Sequence, residues 1–222
     1  MKLFLFAMIV FSSLSGFAQS LEAGAISLAD GTDAKDQPLY VLRIQGAIAW
    51  PMADKLEQIL APLKPKQPLL IILNSNGGAA NEGLKLIALL TAEKRNGRKI
   101  LTSVENGTTC ASMCVMLYAQ GENRYAGEAS MFMFHGATRH EMTNVPNELK
   151  TREMLQILID AGVSKKWIDQ LWALKVFTLP GSYWMSGREL VDAGSNLVTR
   201  AISRHEIEEP WYAPFDPTMG PK

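Results

Sequence analysis

The chain reads as an α/β protein with a largely parallel, buried sheet and a helical C-terminal portion. Three observations carry that expectation. Strand-like apolar runs alternate with segments of helical spacing from Leu39 to Phe134. The run LLIILN at 69–74 is continuously apolar, as in a strand covered on both faces. After residue 146 the alternation gives way to two helical stretches. With 47% hydrophobic and 20% charged residues among 222, the composition supplies one sizeable core and excludes a disordered chain. The 22 Lys and Arg residues balance 22 Asp and Glu, which argues against a broad electrostatic grip on nucleic acid or on an anionic membrane.

The elements follow in order. Residues 1–18 carry Lys2, an apolar run from Leu3 to Phe11, and small residues up to Ala18, the order of a secretory signal peptide. The apolar run is about half of the roughly 20 residues that span a bilayer, so cleavage is expected over a stable anchor, with export to the periplasm or beyond. Residues 19–38, punctuated by Gly24, Gly31 and Pro38, read as a flexible lead-in. A domain over 39–205 opens with the strand LYVLRIQGAI and a helix over Ala53 to Leu60. The buried strand LLIILN ends in the glycine turn NSNGG, and a helix from Ala80 to Lys94 stops near Gly97. KILTSV is the next strand, ASMCVMLYAQ a helix, and NRYA and SMFMFH short strands. Helices are expected over Pro146 to Ile159 and Ser164 to Val176. Ser186 and Glu189 have capping-box spacing for a short helix before a strand NLVTR. Residues 206–222 form a tail rich in Pro and aromatics.

Ligands of such folds gather at the carboxyl ends of strands, so the chemistry is sought in the strand-to-helix loops. Of three histidines, His135 closes SMFMFH at such an end, whereas His140 lies in a polar loop and His205 near the tail. Taken alone, His135 reads first as a hydrogen-bonded strand-end residue, and its neighbours are what point to chemistry. Ser112, in CASMC, stands at a helix start among small residues, a setting for a nucleophile or for an idle N-cap. The glycines of NSNGG present N–H groups that no side chain covers. Cys110 and Cys114 are close enough in sequence for a local disulfide, or are two small buried residues. Two cysteines without nearby histidines fall short of a zinc site, and no phosphate-binding loop is present, so no metal or other cofactor is expected. Trp167, Trp172 and Trp184 are assigned to packing.

Taken in order, NSNGG, CASMC and FMFH resemble the motifs of the Clp protease-like serine peptidases, and in particular their exported members; the resemblance runs from about Leu39 to Thr199. It implies the fold that family shares with the crotonases, built of repeated β-β-α units. It also implies a nucleophile at Ser112, a base at His135, and an oxyanion hole made by Gly77 or Gly78 with the N–H of Met113. Similar exported sequences carry a cysteine pair like Cys110 and Cys114. By the same resemblance the substrate is a peptide or a loosely folded protein segment, and the subunits form a homo-oligomer through the helical portion at 146–176. The departure is the third catalytic member. The family places an aspartate just before the segment matching YWMS, where this chain has Gly181 and Ser182. Asp160, Asp169, Asp192 or a neighbouring carbonyl are the substitutes left, or none. With none, the alternative is a peptide-binding protein that kept the fold and lost the triad. A crotonase-like thioester enzyme is a third reading, disfavoured by export away from cytosolic coenzyme A.

Overall fold

The run LLIILN becomes strand β3 (Leu69–Asn74), and its position at the middle of the sheet explains its unbroken apolarity. In the computed structural model, which describes residues 23–33, 35–138 and 147–203, β3 lies between β2 (Pro38–Gln45) and β4 (Ile100–Val104), parallel to both. β1 (Ala25–Thr32) flanks β2 on one side, and β6 (Asn123–Gly127) and β9 (Arg200–Ile202) follow β4, giving the order β1-β2-β3-β4-β6-β9. Only the β1–β2 pairing in this sheet is antiparallel. Helices α1 (Met52–Leu60) and α2 (Ala80–Arg95) make the crossovers from β2 to β3 and from β3 to β4. They bury Leu56, Leu60, Leu86 and Leu90 against Leu42, Leu69 and Ile71 in the common core.

β1 corrects the expectation of a flexible lead-in over 19–38: from Ala25 onward the chain is paired residue by residue with β2. Ile26 and Leu28 are the large aliphatic side chains it offers, and both pack on the core only partly buried. An edge strand with one modest apolar face leaves little pattern to read.

A second, three-stranded sheet has the order β5-β7-β8, formed by β5 (Thr109–Ala111), β7 (Met131–Phe134) and β8 (Tyr183–Ser186). β5 runs parallel to β7, and β8 antiparallel to it. Two local expectations change here. The helix expected over ASMCVMLYAQ begins only at Met113, as α3 (Met113–Tyr118), because Cys110 and Ala111 belong to β5. The strand expected over NLVTR forms at β9 instead. Buried Arg124 draws the earlier residues into a turn, donating from Nε to Leu197 O at 2.8 Å and from Nη2 to Asn196 O at 2.6 Å.

The helical portion consists of α4 (Glu148–Asp160), α5 (Lys165–Ala173) and α6 (Gly187–Asp192). The Ser186–Glu189 capping box is present as expected. Trp167 is buried, edge-on to Phe134 at 5.4 Å, and Trp172 lies 6.1 Å from Phe177. Trp184 departs from the packing assigned to it, standing 47% exposed on β8. Residues 1–18, His140, His205 and the tail 206–222 lie outside the described residues.

Candidate active site

The second sheet brings the separated motifs together. Ala111 and Met133 are partners in the parallel β5–β7 register, and Ser112 N–H continues it by donating to Met133 O at 2.9 Å. Ser112 and His135 therefore emerge side by side where the two strands end. His135 Nε2 lies 2.7 Å from Ser112 Oγ.

Ser112 is the hinge between β5 and α3, with φ 55° and ψ −119°. That conformation is unusual for a residue with a Cβ and costs on the order of 1–3 kcal/mol, so the surroundings must hold it in place. Two restraints are visible. A disulfide joins Cys110 to Cys114 around the hinge, with Cα atoms 5.2 Å apart, resolving the two readings left open for this pair. On the other side the turn after β3 is pinned to β5, Ser75 N–H donating to Thr109 O at 2.8 Å and Ala111 N–H to Ser75 O at 2.9 Å. The idle-cap reading of Ser112 fails on geometry: it stands at the N-cap position of α3, yet its side chain accepts no capping bond.

The turn itself explains its two glycines. A Cβ on Gly77 would sit 2.6 Å from Ala111 O, 2.9 Å from Ser112 Cβ and 3.0 Å from Met113 N, on top of the hinge. A Cβ on Gly78 would meet Ile48 O at 2.2 Å, because Ile48 grips the turn through Ile48 N–H to Gly77 O (2.8 Å) and Ala79 N–H to Ile48 O (2.7 Å). The N–H groups divide differently from the expectation that either glycine donates. Gly77 N–H is taken by Ser75 Oγ at 3.1 Å. Among the described residues, the N–H groups of Gly78 and Met113 donate to no protein acceptor, and both residues line the cavity that holds Ser112 and His135.

His135 Nδ1 lies 2.7 Å from Gly136 O. A carbonyl only accepts, so the proton of the neutral ring sits on Nδ1, and Nε2 is left to accept from the Ser112 hydroxyl. This is the carbonyl substitute that the sequence left open. The three candidate aspartates are engaged within their own helices: Asp160 accepts from Gln156, Asp169 pairs with Lys165 at 2.7 Å, and Asp192 pairs with Arg188 at 3.0 Å. Gly181 is exposed, with φ 140° and open space around it. Gly136 was missed in the sequence, since a main-chain acceptor leaves no trace in residue type; the glycine following FMFH was the available sign.

The cavity beside Ser112 has a volume of about 560 Å³. Its walls are mostly apolar, with Met116, Met133, Met154, Leu155, Leu158 and Phe177 prominent, and Lys150 contributes a charged side chain to its lining.

With strand, hinge, imidazole and unclaimed N–H groups arranged in this way, the class is that of the α/β folds that place a serine–histidine pair at the carboxyl edge of a sheet. The family model of the Clp proteases matches residues 39–195, and the chain belongs to that family. Among solved structures it is similar in fold to a peptidase from Plasmodium falciparum, at 14% identity and a TM-score of 0.52, over 73% of this chain and 94% of that one. Among curated proteins none matches the sequence. The family supports a peptidase function.

Proposed function

We propose that this protein is a serine peptidase that works by acyl transfer through a Ser112–His135 dyad, on peptides or loosely folded protein segments. The observation that carries the reading is the 2.7 Å contact between Ser112 Oγ and His135 Nε2, beside two N–H groups without an acceptor among the described residues. In the acylation step, Ser112 passes its hydroxyl proton to Nε2 as Oγ bonds to the scissile carbonyl carbon. The carbonyl electron pair moves onto oxygen, where Gly78 and Met113 N–H can hold it; one such donor is worth roughly 10²–10³ in rate. Collapse of the tetrahedral adduct expels the amine, which takes the proton from Nε2. Water, deprotonated by Nε2, then cleaves the acyl ester and restores the serine. Throughout, Nδ1–H stays bonded to Gly136 O. A neutral carbonyl stabilises the transient imidazolium less than a carboxylate does, so a slower enzyme is expected than one with a complete triad. The methionine- and leucine-lined cavity favours an apolar side chain next to the scissile bond.

Export remains part of the reading: the segment before Ala18 has the order of a signal peptide, and a Cys110–Cys114 disulfide suits an oxidising compartment. Self-association through the helical portion is supported by the exposed side chains of Leu149 and Leu174, at 72% and 66%. The vacant acid position supports the alternative of a peptide-binding protein without catalysis. Fluorophosphonate treatment of the protein, with the adduct located by mass spectrometry, separates the two. Labelling at Ser112 that disappears in His135→Ala establishes the dyad, whereas a folded protein that stays unlabelled establishes the binder.

A further inference from the structure

We propose that Thr151 is a positioning residue for His135, acting through the peptide group that joins Gly136 to Ala137; this rests on the dyad reading above. One amide carries both contacts. Its oxygen takes the Nδ1–H of His135 at 2.7 Å, and its N–H, on Ala137, donates to Thr151 Oγ1 at 2.9 Å. In a trans peptide these two bonds leave in opposite directions, so fixing the N–H fixes the direction in which the carbonyl points. Bonding at the N–H end also polarises the amide and strengthens its oxygen as an acceptor, by an estimated 10–30% for each bond in a chain.

Thr151 is itself held. It is 2% exposed on the first turn of α4, and its hydroxyl donates to Asn147 O at 2.8 Å. With its proton committed there, the lone pairs of Oγ1 are what it offers Ala137. Asn147 N–H returns a bond to Ala137 O at 2.7 Å, so the loop after His135 is tied to the start of α4 on both sides of residue 137. Residue 136 has to be glycine for the amide to stay where it is, because a Cβ there would collide with Phe177 O and crowd Thr151 Oγ1. Thus the service an acid performs elsewhere, choosing the tautomer and holding the ring, falls here to a main-chain amide steered by a buried threonine.

The test measures inactivation of Ser112 by a fluorophosphonate, resolving the binding constant KI from the chemical rate kinact, in the parent, Thr151→Val and Thr151→Ser. Valine keeps the shape and removes the acceptor, leaving the Ala137 N–H unpaired; serine keeps the acceptor. The expected result is a drop in kinact of at least about tenfold in Thr151→Val with KI unchanged, and recovery to within about threefold in Thr151→Ser. A folded Thr151→Val protein with kinact within about twofold of the parent overturns the proposal. Should the valine variant not fold, imidazole nitrogen NMR and amide exchange on the parent decide. A proton on Nδ1 of His135 together with a slowly exchanging Ala137 amide upholds the proposal, and a proton on Nε2 or a fast Ala137 amide overturns it. A parent that takes no label at all refutes the dyad reading; the NMR result then still decides whether Thr151 steers the ring.

Discussion

Ser112 and Ser186 both stand at strand-to-helix junctions of one small sheet, at opposite ends of its central strand β7. Ser112 directly follows β5 and Ser186 ends β8, the two strands that flank β7, and each is followed by a six-residue helix, α3 after Ser112 and α6 after Ser186. Ser186 has φ −74° and ψ 163°, the extended conformation of an ordinary N-cap. Its hydroxyl meets the Glu189 N–H at 3.2 Å, and the Glu189 carboxylate returns to the Ser186 N–H at 2.7 Å. Ser112, at φ 55° and ψ −119°, makes no cap and directs its hydroxyl to His135. The two residues have the same side chain at the same kind of junction, so the backbone angle, with His135 within reach of one of them, separates the structural serine from the one available for chemistry. Holding the unusual angle takes a disulfide, a glycine turn that crowds the hinge, and a strand bond to Met133. Holding the ordinary one takes a single glutamate.

The sharpest way to break the comparison is to remove both hydroxyls. Ser112→Ala is expected to abolish peptide hydrolysis and fluorophosphonate labelling, by about 10³-fold or more, while shifting stability by less than about 0.5 kcal/mol, since no cap is lost. Ser186→Ala should do the reverse, leaving labelling intact and costing about 1 kcal/mol in a urea melt. If Ser112→Ala loses as much stability as Ser186→Ala, the two serines are both caps. Next in size is the bridge. Cys110→Ala with Cys114→Ala opens a short loop whose closure is worth about 2 kcal/mol in the chain-entropy account, and the loss should be seen in the same melts. A smaller effect, of opposite sign at the two stations, is expected from glycine. Ser112→Gly relieves an angle that disfavours a Cβ and should raise stability by roughly 1 kcal/mol, whereas Ser186→Gly should lower it by a few tenths.

Smallest is the pH dependence of the Ser186 cap. The backbone N–H of Ser186, then its hydroxyl, hold the Glu189 carboxyl below the usual glutamate range. A group whose pKa is lowered by folding stabilises the fold when ionised. Its contribution is therefore full above the unfolded value and fades as the pH falls through the folded one. Glu189 is exposed, so water screens most of the effect. The difference in Tm between the parent and Glu189→Gln should be small at about pH 7 and vanish as the pH falls below the lowered folded-state value.

The same two stations mark where sequence pattern stops informing. The Ser186–Glu189 box was legible because its bonds are local and depend on residue types three apart. β3 was legible because burial on both faces demands an unbroken apolar run. The hinge at Ser112 was not, because a positive φ on a serine is imposed by contacts with residues 75–77 and 133, distant in sequence. Ser112 and His135 themselves could be named from the order of motifs, but their mutual geometry depends on a β5–β7 register that Thr109–Ala111 is too short to announce. β1 left little pattern as an edge strand with two large aliphatic residues, and packing was the reading for Trp184 because periodicity cannot tell which face of a short edge strand is covered. The substitute for the missing acid was least visible of all. It is a carbonyl, and every residue has one.

The Cys110–Cys114 bridge has a practical corollary for anyone preparing this protein. Chains synthesised where thiols are kept reduced and chains matured where they are oxidised share one sequence but differ by a covalent bond two residues away from Ser112 on either side. Mass measurement before and after alkylation distinguishes the two populations. A sample drawn from a reducing cytosol is therefore checked for the bridge before its reactivity is compared with that of oxidised material.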